Sequence, residues 1–236
     1  MRPNQFYRYV AGRSLREIIA VSLKTLIGFI RGLLPSERRA QSQLAAFDRL
    51  WGTDTTKSVK RRDLDFPTGQ EKHFHQYEVS EHDTLKGLLE LLDIDPSKFT
   101  FIDIGSGKGR VVFEASQIPF QRSIGVEYSR KLHDIAQINA RLFTERGGPL
   151  VKPEFWQGDA RDFLLPEGPL LLYLYNPFSS AILDEFINRI EQAATDEART
   201  IYLAYVNPEH LDSLKSRSLW MQIAESSKMV IFKLSS

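Results

Sequence analysis

Residues Phe99–Ser116 read FTFIDIGSGKGRVVFEAS. An apolar run of β character enters three glycines at alternate positions, Gly105, Gly107 and Gly109, and a helical pattern leaves them. Strand, glycine loop and helix in succession constrain the fold more than any other part of the chain. Glycine gives the turn backbone conformations closed to other residues, and the following helix aims unpaired N–H groups at whatever lies above the strand. Asp103 precedes the loop, so the spacing is D-x-G-x-G-x-G. It suits a small adenosine-bearing cofactor.

The chain beyond this unit keeps alternating. Strand patterns fall near 99–104, 122–127, 153–157, 170–175 and 200–206, and helical ones near 108–116, 130–145, 179–193 and 208–216. Five strands joined by helical crossovers predict a parallel sheet covered on both faces. The closing LWMQIAESSKMVIFKL reads as two strands around a short turn, an antiparallel edge. Upstream, residues 81–92 form a short amphipathic helix with Leu85, Leu88, Leu89 and Leu92 inward. Residues 15–34 repeat apolar side chains at three- and four-residue steps up to Pro35, which marks a stop. Arg16, Glu17, Lys24 and Arg31 interrupt that run, which argues against a membrane-spanning helix. A helix lying on a membrane surface, covering the core or forming a homodimer seam all remain open. Residues 52–76 lack periodicity and read as a linker or lid. The division expected is a basic helical extension with linker over 1–76 and a cofactor-binding domain over 77–236.

Composition limits the rest. At 236 residues, 42% hydrophobic and 26% charged, the chain is of the globular class. With no cysteine, disulfides and thiolate zinc sites are excluded. His73 and His75 alternate in HFH without further ligands at metal spacing, so no metal is expected. The net charge of +1 hides an asymmetry: residues 1–62 hold 13 Lys and Arg against 4 Asp and Glu, and the remainder holds 18 against 26. A basic arm on an acidic domain suits an anionic contact, such as a membrane surface or nucleic acid, or the acidic domain itself. No secretory pattern opens the sequence, so a cytoplasmic, or membrane-peripheral, location is the expectation.

Two phosphate-binding motifs fail on the glycine loop. A P-loop needs Ser or Thr directly after its Lys, whereas Gly109 follows Lys108. A dinucleotide G-x-G-x-x-G/A counted from Gly105 ends on Arg110. The glycines, IGVEYS, FWQGDARDF and LYLYNPFSS together resemble the class I, seven-stranded S-adenosylmethionine-dependent methyltransferases, over roughly residues 77–234. The pattern is similar to a bacterial group of these enzymes with unassigned substrate and, distantly, to the seven-stranded histone-lysine methyltransferases.

That resemblance implies an α/β fold, a doubly wound Rossmann-like sheet in the order 3-2-1-4-5-7-6 with the last strand pair antiparallel. S-adenosylmethionine would lie across the carboxyl ends of the first two strands, leaving S-adenosylhomocysteine as product. Gly105, Ser106, Gly107 and Gly109 would form the cofactor loop and Asp103 would face the methionine amino group. Glu127 would bind the ribose hydroxyls, since an ionised carboxylate accepts two hydrogen bonds. Tyr128 would pack on the adenine, Asp159 would accept its amine, and Ala160 would offer a backbone N–H. Tyr77, in YEVS, would cover the cofactor or sit in the core.

Asn176-Pro177-Phe178 resembles the Asn-Pro-Pro-aromatic motif of amine-directed members, with the second proline missing and the aromatic one place earlier. The Asn176 amide oxygen and the Pro177 carbonyl would hold the hydrogens of an attacking amine, and Phe178 would shield the site. Asn176 would also border the cofactor. A second Asn-Pro, Asn207-Pro208, reads as a helix start. The function expected is methyl transfer to nitrogen, a protein lysine being one acceptor. A small molecule or nucleic acid as acceptor, and a non-catalytic cofactor-binding module, are the rivals.

Overall fold

The computed structural model describes residues 35–59, 63–65, 79–80, 83–196 and 199–235. The predicted helix over 15–34, the histidines at 73 and 75, and Tyr77 lie outside them. The chain divides into two compact units between Ala45 and Ala46, so residues 46–59, read from sequence with the extension, belong to the unit that carries the sheet.

Seven strands form one sheet: β1 (Thr100–Ile104), β2 (Arg122–Glu127), β3 (Pro153–Gln157), β4 (Leu170–Tyr175), β5 (Ile201–Val206), β6 (Trp220–Glu225) and β7 (Met229–Leu234). Their order is β3-β2-β1-β4-β5-β7-β6, as expected. The first five are parallel, and β7 runs antiparallel to both β5 and β6. The helices are α1 (Pro35–Trp51), α2 (Thr84–Leu91), α3 (Arg110–Ala115), α4 (Arg130–Glu145), α5 (Ser180–Asp196) and α6 (Asp212–Lys215).

Alternation along each strand divides the core between the two sheet faces. One layer joins Ile102, Ile104, Leu172, Leu174, Leu203 and Tyr205 to Leu183, Phe186, Ile187 and Ile190 of α5. The other joins Phe101, Leu171, Tyr173, Ala204 and Ile231 to Leu85 and Leu88 of α2 and Val111 and Ala115 of α3. β1 is therefore buried at every position, as a central parallel strand must be. Burying Leu85 and Leu88 contributes about 1.5–3 kcal/mol each.

Two local readings need correction. Pro35 opens a helix as well as following the 15–34 pattern; its fixed φ and missing N–H are tolerated in a first turn. The helix predicted over 208–216 shrinks to Asp212–Lys215. Asn207 holds a left-handed turn at φ 45°, and its amide N–H returns to the Lys228 carbonyl at 2.7 Å.

Candidate cofactor site

Five parallel strands end on one edge, and the loops after β1, β2, β3 and β4 carry the sequence-predicted residues there. Gly105, Gly107 and Gly109 all have positive φ, at 82°, 55° and 90°. The Gly105 and Ser106 amides both donate to the Val126 carbonyl, at 2.8 and 3.0 Å, which folds the loop over the end of β2. Two of these glycines are bare because protein crowds them. A Cβ on Gly105 would lie 2.8 Å from the Pro177 Cβ, and one on Gly109 would lie 2.6 Å from the Phe155 ring. Gly125, unremarked in the sequence, is needed too: a Cβ there would meet the Ser106 Oγ at 2.7 Å. That hydroxyl is buried with no hydrogen-bond partner among the described residues.

Glu127 is buried at the end of β2, where Oε2 accepts the Gly107 amide at 2.8 Å and Oε1 the Ser129 amide at 2.7 Å. The Tyr128 backbone N–H also acts on this carboxylate. Burial pushes its pKa up to about 7 against the pull of these backbone N–H groups, and the Asp65 carboxylate adds to the rise. Asp103, buried beside it, is held well above the usual carboxylate range by burial and then by the charges of Glu127 and Glu114. The loop thus encloses two carboxylates that a cation or hydroxyl donors would stabilise in their ionised form.

After β3, Asp159 is clamped by Arg161. Nε and the backbone N–H reach Oδ1, both at 2.9 Å, and the second guanidinium nitrogen reaches Oδ2 at 2.7 Å. Burial would raise the Asp159 pKa, but the Arg161 bonds outweigh it and keep the carboxylate ionised. Arg161 also pairs with Glu185 of α5, so the turn is fixed to that helix. Ala160 is buried, and half-buried Tyr128 packs on the same core layer.

After β4, Asn176 is 7% exposed and takes φ 42°, a left-handed conformation that asparagine adopts more readily than other residues except glycine. Its Oδ1 accepts from the Tyr205 hydroxyl of β5 at 2.9 Å. Pro177 abuts Gly105, so the glycine loop and the Asn-Pro turn touch. Phe178 is buried, and its ring meets Phe186 of α5 edge-on with centroids 6.0 Å apart. Phe178 belongs to the core layer that holds α5.

The cations of GSGKGR turn into the protein. Lys108 is 1% exposed; its Nζ donates to the Lys57 carbonyl at 2.7 Å and pairs with Asp54 at 3.3 Å. Arg110, 3% exposed, bonds Glu114 at 2.6 Å and the Thr55 Oγ at 3.3 Å, and its guanidinium lies 3.9 Å over the Phe47 ring. Asp48 organises that loop by accepting the hydroxyls of Thr53, Thr55 and Thr56 and the amides of Thr55 and Thr56. Asp65 continues the same cover, binding the Ser129 Oγ and the Arg130 amide at the start of α4. Sequence reasoning missed all of these, along with Tyr205 and Arg161. The one legible signal was two cations inside a glycine loop that matched no phosphate motif.

Among the described residues no helix is long and apolar enough to cross a membrane. No group of three or more His, Cys, Asp or Glu side chains gathers among them as a metal site.

Comparison with known proteins adds to this geometry. No curated protein matches the chain. Among solved structures, an RNA methyltransferase from Salinibacter ruber in complex with S-adenosyl-L-homocysteine is 19% identical, covering 66% of this chain and 92% of its own at a TM-score of 0.48. A precorrin-6y C5,15-methyltransferase from Geobacter metallireducens is 16% identical, covering 77% and 98% at 0.47. The magnesium protoporphyrin IX methyltransferase from Synechocystis with bound SAM is 15% identical, covering 58% and 69% at 0.40. The family model for the histone methylation protein DOT1 matches residues 74–154, a span that takes in β1, the glycine loop and β2 and ends inside β3. The chain carries a seven-stranded sheet in the order β3-β2-β1-β4-β5-β7-β6, and over residues 74–154 it is similar to that histone methylation family.

Proposed function

We propose that the protein transfers a methyl group from S-adenosylmethionine to a nitrogen, with a protein lysine as the first acceptor to test. The observation that carries this reading is the pair of buried carboxylates, Asp103 and Glu127, around the glycine loop. The remaining acceptor capacity of Glu127 fits a ribose hydroxyl, Asp103 fits an ammonium, and the orphaned Ser106 hydroxyl fits a further polar contact. When bound, the sulfonium supplies the methyl electrophile. Asp159, ionised and held by Arg161, accepts from an adenine amine. Asn176 keeps the acceptor in place: the second lone pair of Oδ1 and the Pro177 carbonyl take up amine hydrogens, so the nitrogen lone pair points along the line of attack. The match to a histone methylation family supports lysine ahead of small molecules or nucleic acid.

The test has two steps. S-adenosylhomocysteine should raise the melting temperature and NAD should not, since a ligand that binds only the folded state stabilises it. Tritiated S-adenosylmethionine should then label a lysine-rich protein such as histone in the presence of wild type but not of Asn176→Ala. Label in RNA or small molecules instead would replace lysine as the acceptor, and no thermal response would reject the cofactor.

A further inference from the structure

Asn176 and Asn207 each end a parallel strand, each precede a proline and each take positive φ, 42° and 45°. Asparagine tolerates left-handed backbone better than most residues, but steric contact with a following proline ring pushes the preceding residue toward extended conformations. Two such turns on adjacent strands are therefore strained, and strain persists only where the surroundings impose it.

The surroundings are two tyrosine–asparagine pairs crossing between β4 and β5. The Tyr205 hydroxyl donates to Asn176 Oδ1 at 2.9 Å, and Asn207 Nδ2 donates to the Tyr175 hydroxyl oxygen at 2.6 Å. Leu174 stands opposite Tyr205 in the parallel register and Tyr175 opposite Val206, so the two tyrosines fall on opposite faces of the sheet. Tyr205 lies in one core layer and Tyr175 packs on the other. The strand ends are tied from both sides.

The pairs differ in burial and direction. Tyr205 and Asn176 are both buried, whereas the Asn207 pair is exposed. The Tyr205 proton points at Asn176, so the amide oxygen lies on the phenol and the nitrogen on the other side. Among the described residues nothing accepts from Asn176 Nδ2.

We infer that Tyr205 is the positioning residue of the site. Its hydroxyl holds Asn176 in the left-handed pre-proline conformation and fixes the amide in one orientation, with Oδ1 on the phenol and one of its lone pairs spare. The inference rests on the methyltransferase reading, because it gives that fixed amide the task of orienting the acceptor. A wrong flip would put a donor where amine hydrogens must be received.

The test needs no methyl acceptor. In full-length protein labelled with ¹⁵N-asparagine, the Asn176 side-chain amide should give one dispersed pair of proton signals that shifts on adding S-adenosylhomocysteine. Tyr205→Phe removes one buried oxygen; its Asn176 pair should collapse toward the shifts of a free asparagine amide and lose at least half of its response, while other cofactor-loop signals still respond. Asn207→Ala breaks only the exposed pair and should leave the Asn176 signals in place. A second arm reads the bond from its other side: with tyrosine labelled at Cζ, Asn176→Leu should shift Tyr205 and no other tyrosine. Unchanged Asn176 signals in Tyr205→Phe, an unmoved Tyr205 Cζ in Asn176→Leu, or an Asn207→Ala as damaging as Tyr205→Phe would each overturn the inference while the functional reading stands. A wild-type spectrum that ignores S-adenosylhomocysteine would overturn that reading and this inference together.

Discussion

Gly105 and Pro177 leave no room for a methyl group between them: a Cβ on the glycine would stand 2.8 Å from the proline Cβ. The cofactor loop after β1 and the Asn-Pro turn after β4 are thereby one packed unit, and a change in the first should be felt in the second. Gly105→Ala would have to hold φ 82° and displace Pro177. The expected loss is about 1 kcal/mol for the backbone and a further 1–3 kcal/mol for overpacking. Gly147→Ala is the comparison, since Gly147 has φ 73° with nothing within 4 Å of an added Cβ. Urea unfolding should show Gly105→Ala losing clearly more than Gly147→Ala. Equal losses would mean that the Pro177 contact has no weight.

Glu127 makes stability and ligand binding depend on pH in opposite senses. Its pKa rises from an unfolded value near 4.5 to about 7 in the fold, so the folded state holds the proton more tightly. Below pH 4.5 both states are protonated and there is no penalty. As pH rises toward 7 the unfolded state ionises first, and the ligand-free protein loses about 3 kcal/mol. Asp103, shifted in the same direction, adds to that slope. Glu127→Gln should flatten the urea stability profile between pH 5 and 7.5. S-adenosylhomocysteine, if its ribose donates to the ionised carboxylate, should bind more tightly across the same interval and release protons. Calorimetry in buffers of different ionisation enthalpy would detect them, and proton uptake on binding would contradict the assignment.

Truncation separates the two sides of the Ala45–Ala46 division. Lys108 and Arg110 are buried against Lys57, Asp54, Thr55 and Phe47. A chain beginning at Gln70 leaves both cations without these partners. Removing one partner of a buried charge costs about 3–5 kcal/mol. That truncation should fail to fold or fail to bind S-adenosylhomocysteine, whereas a chain beginning at Ala46 should keep both properties. Far-ultraviolet circular dichroism and a thermal shift assay would distinguish the two, and a folded, ligand-binding chain from Gln70 would show the cover to be dispensable.

The order of strands and helices was legible because it is written in local periods. Strand alternation and the helical step predicted β2 at 122–127 and the helix at 130–145, and both bounds hold. The glycine loop was legible from spacing, and Glu127 and Asp159 from their places at strand ends. The contacts that make these residues a site were not. Lys108 and Lys57 are 51 positions apart, and Arg110 and Thr55 are 55 apart. Nothing in a run of residues distinguishes a cation that meets a ligand from one that meets its own chain. Likewise Asn207-Pro208 reads like any helix start until β5 lies beside β4 and brings Tyr175 to its amide. Periodicity fixes which face of an element is apolar. Only packing decides which polar groups, far apart along the chain, complete one another's hydrogen bonds, because a buried donor or acceptor must find its partner wherever the fold brings one within about 3 Å.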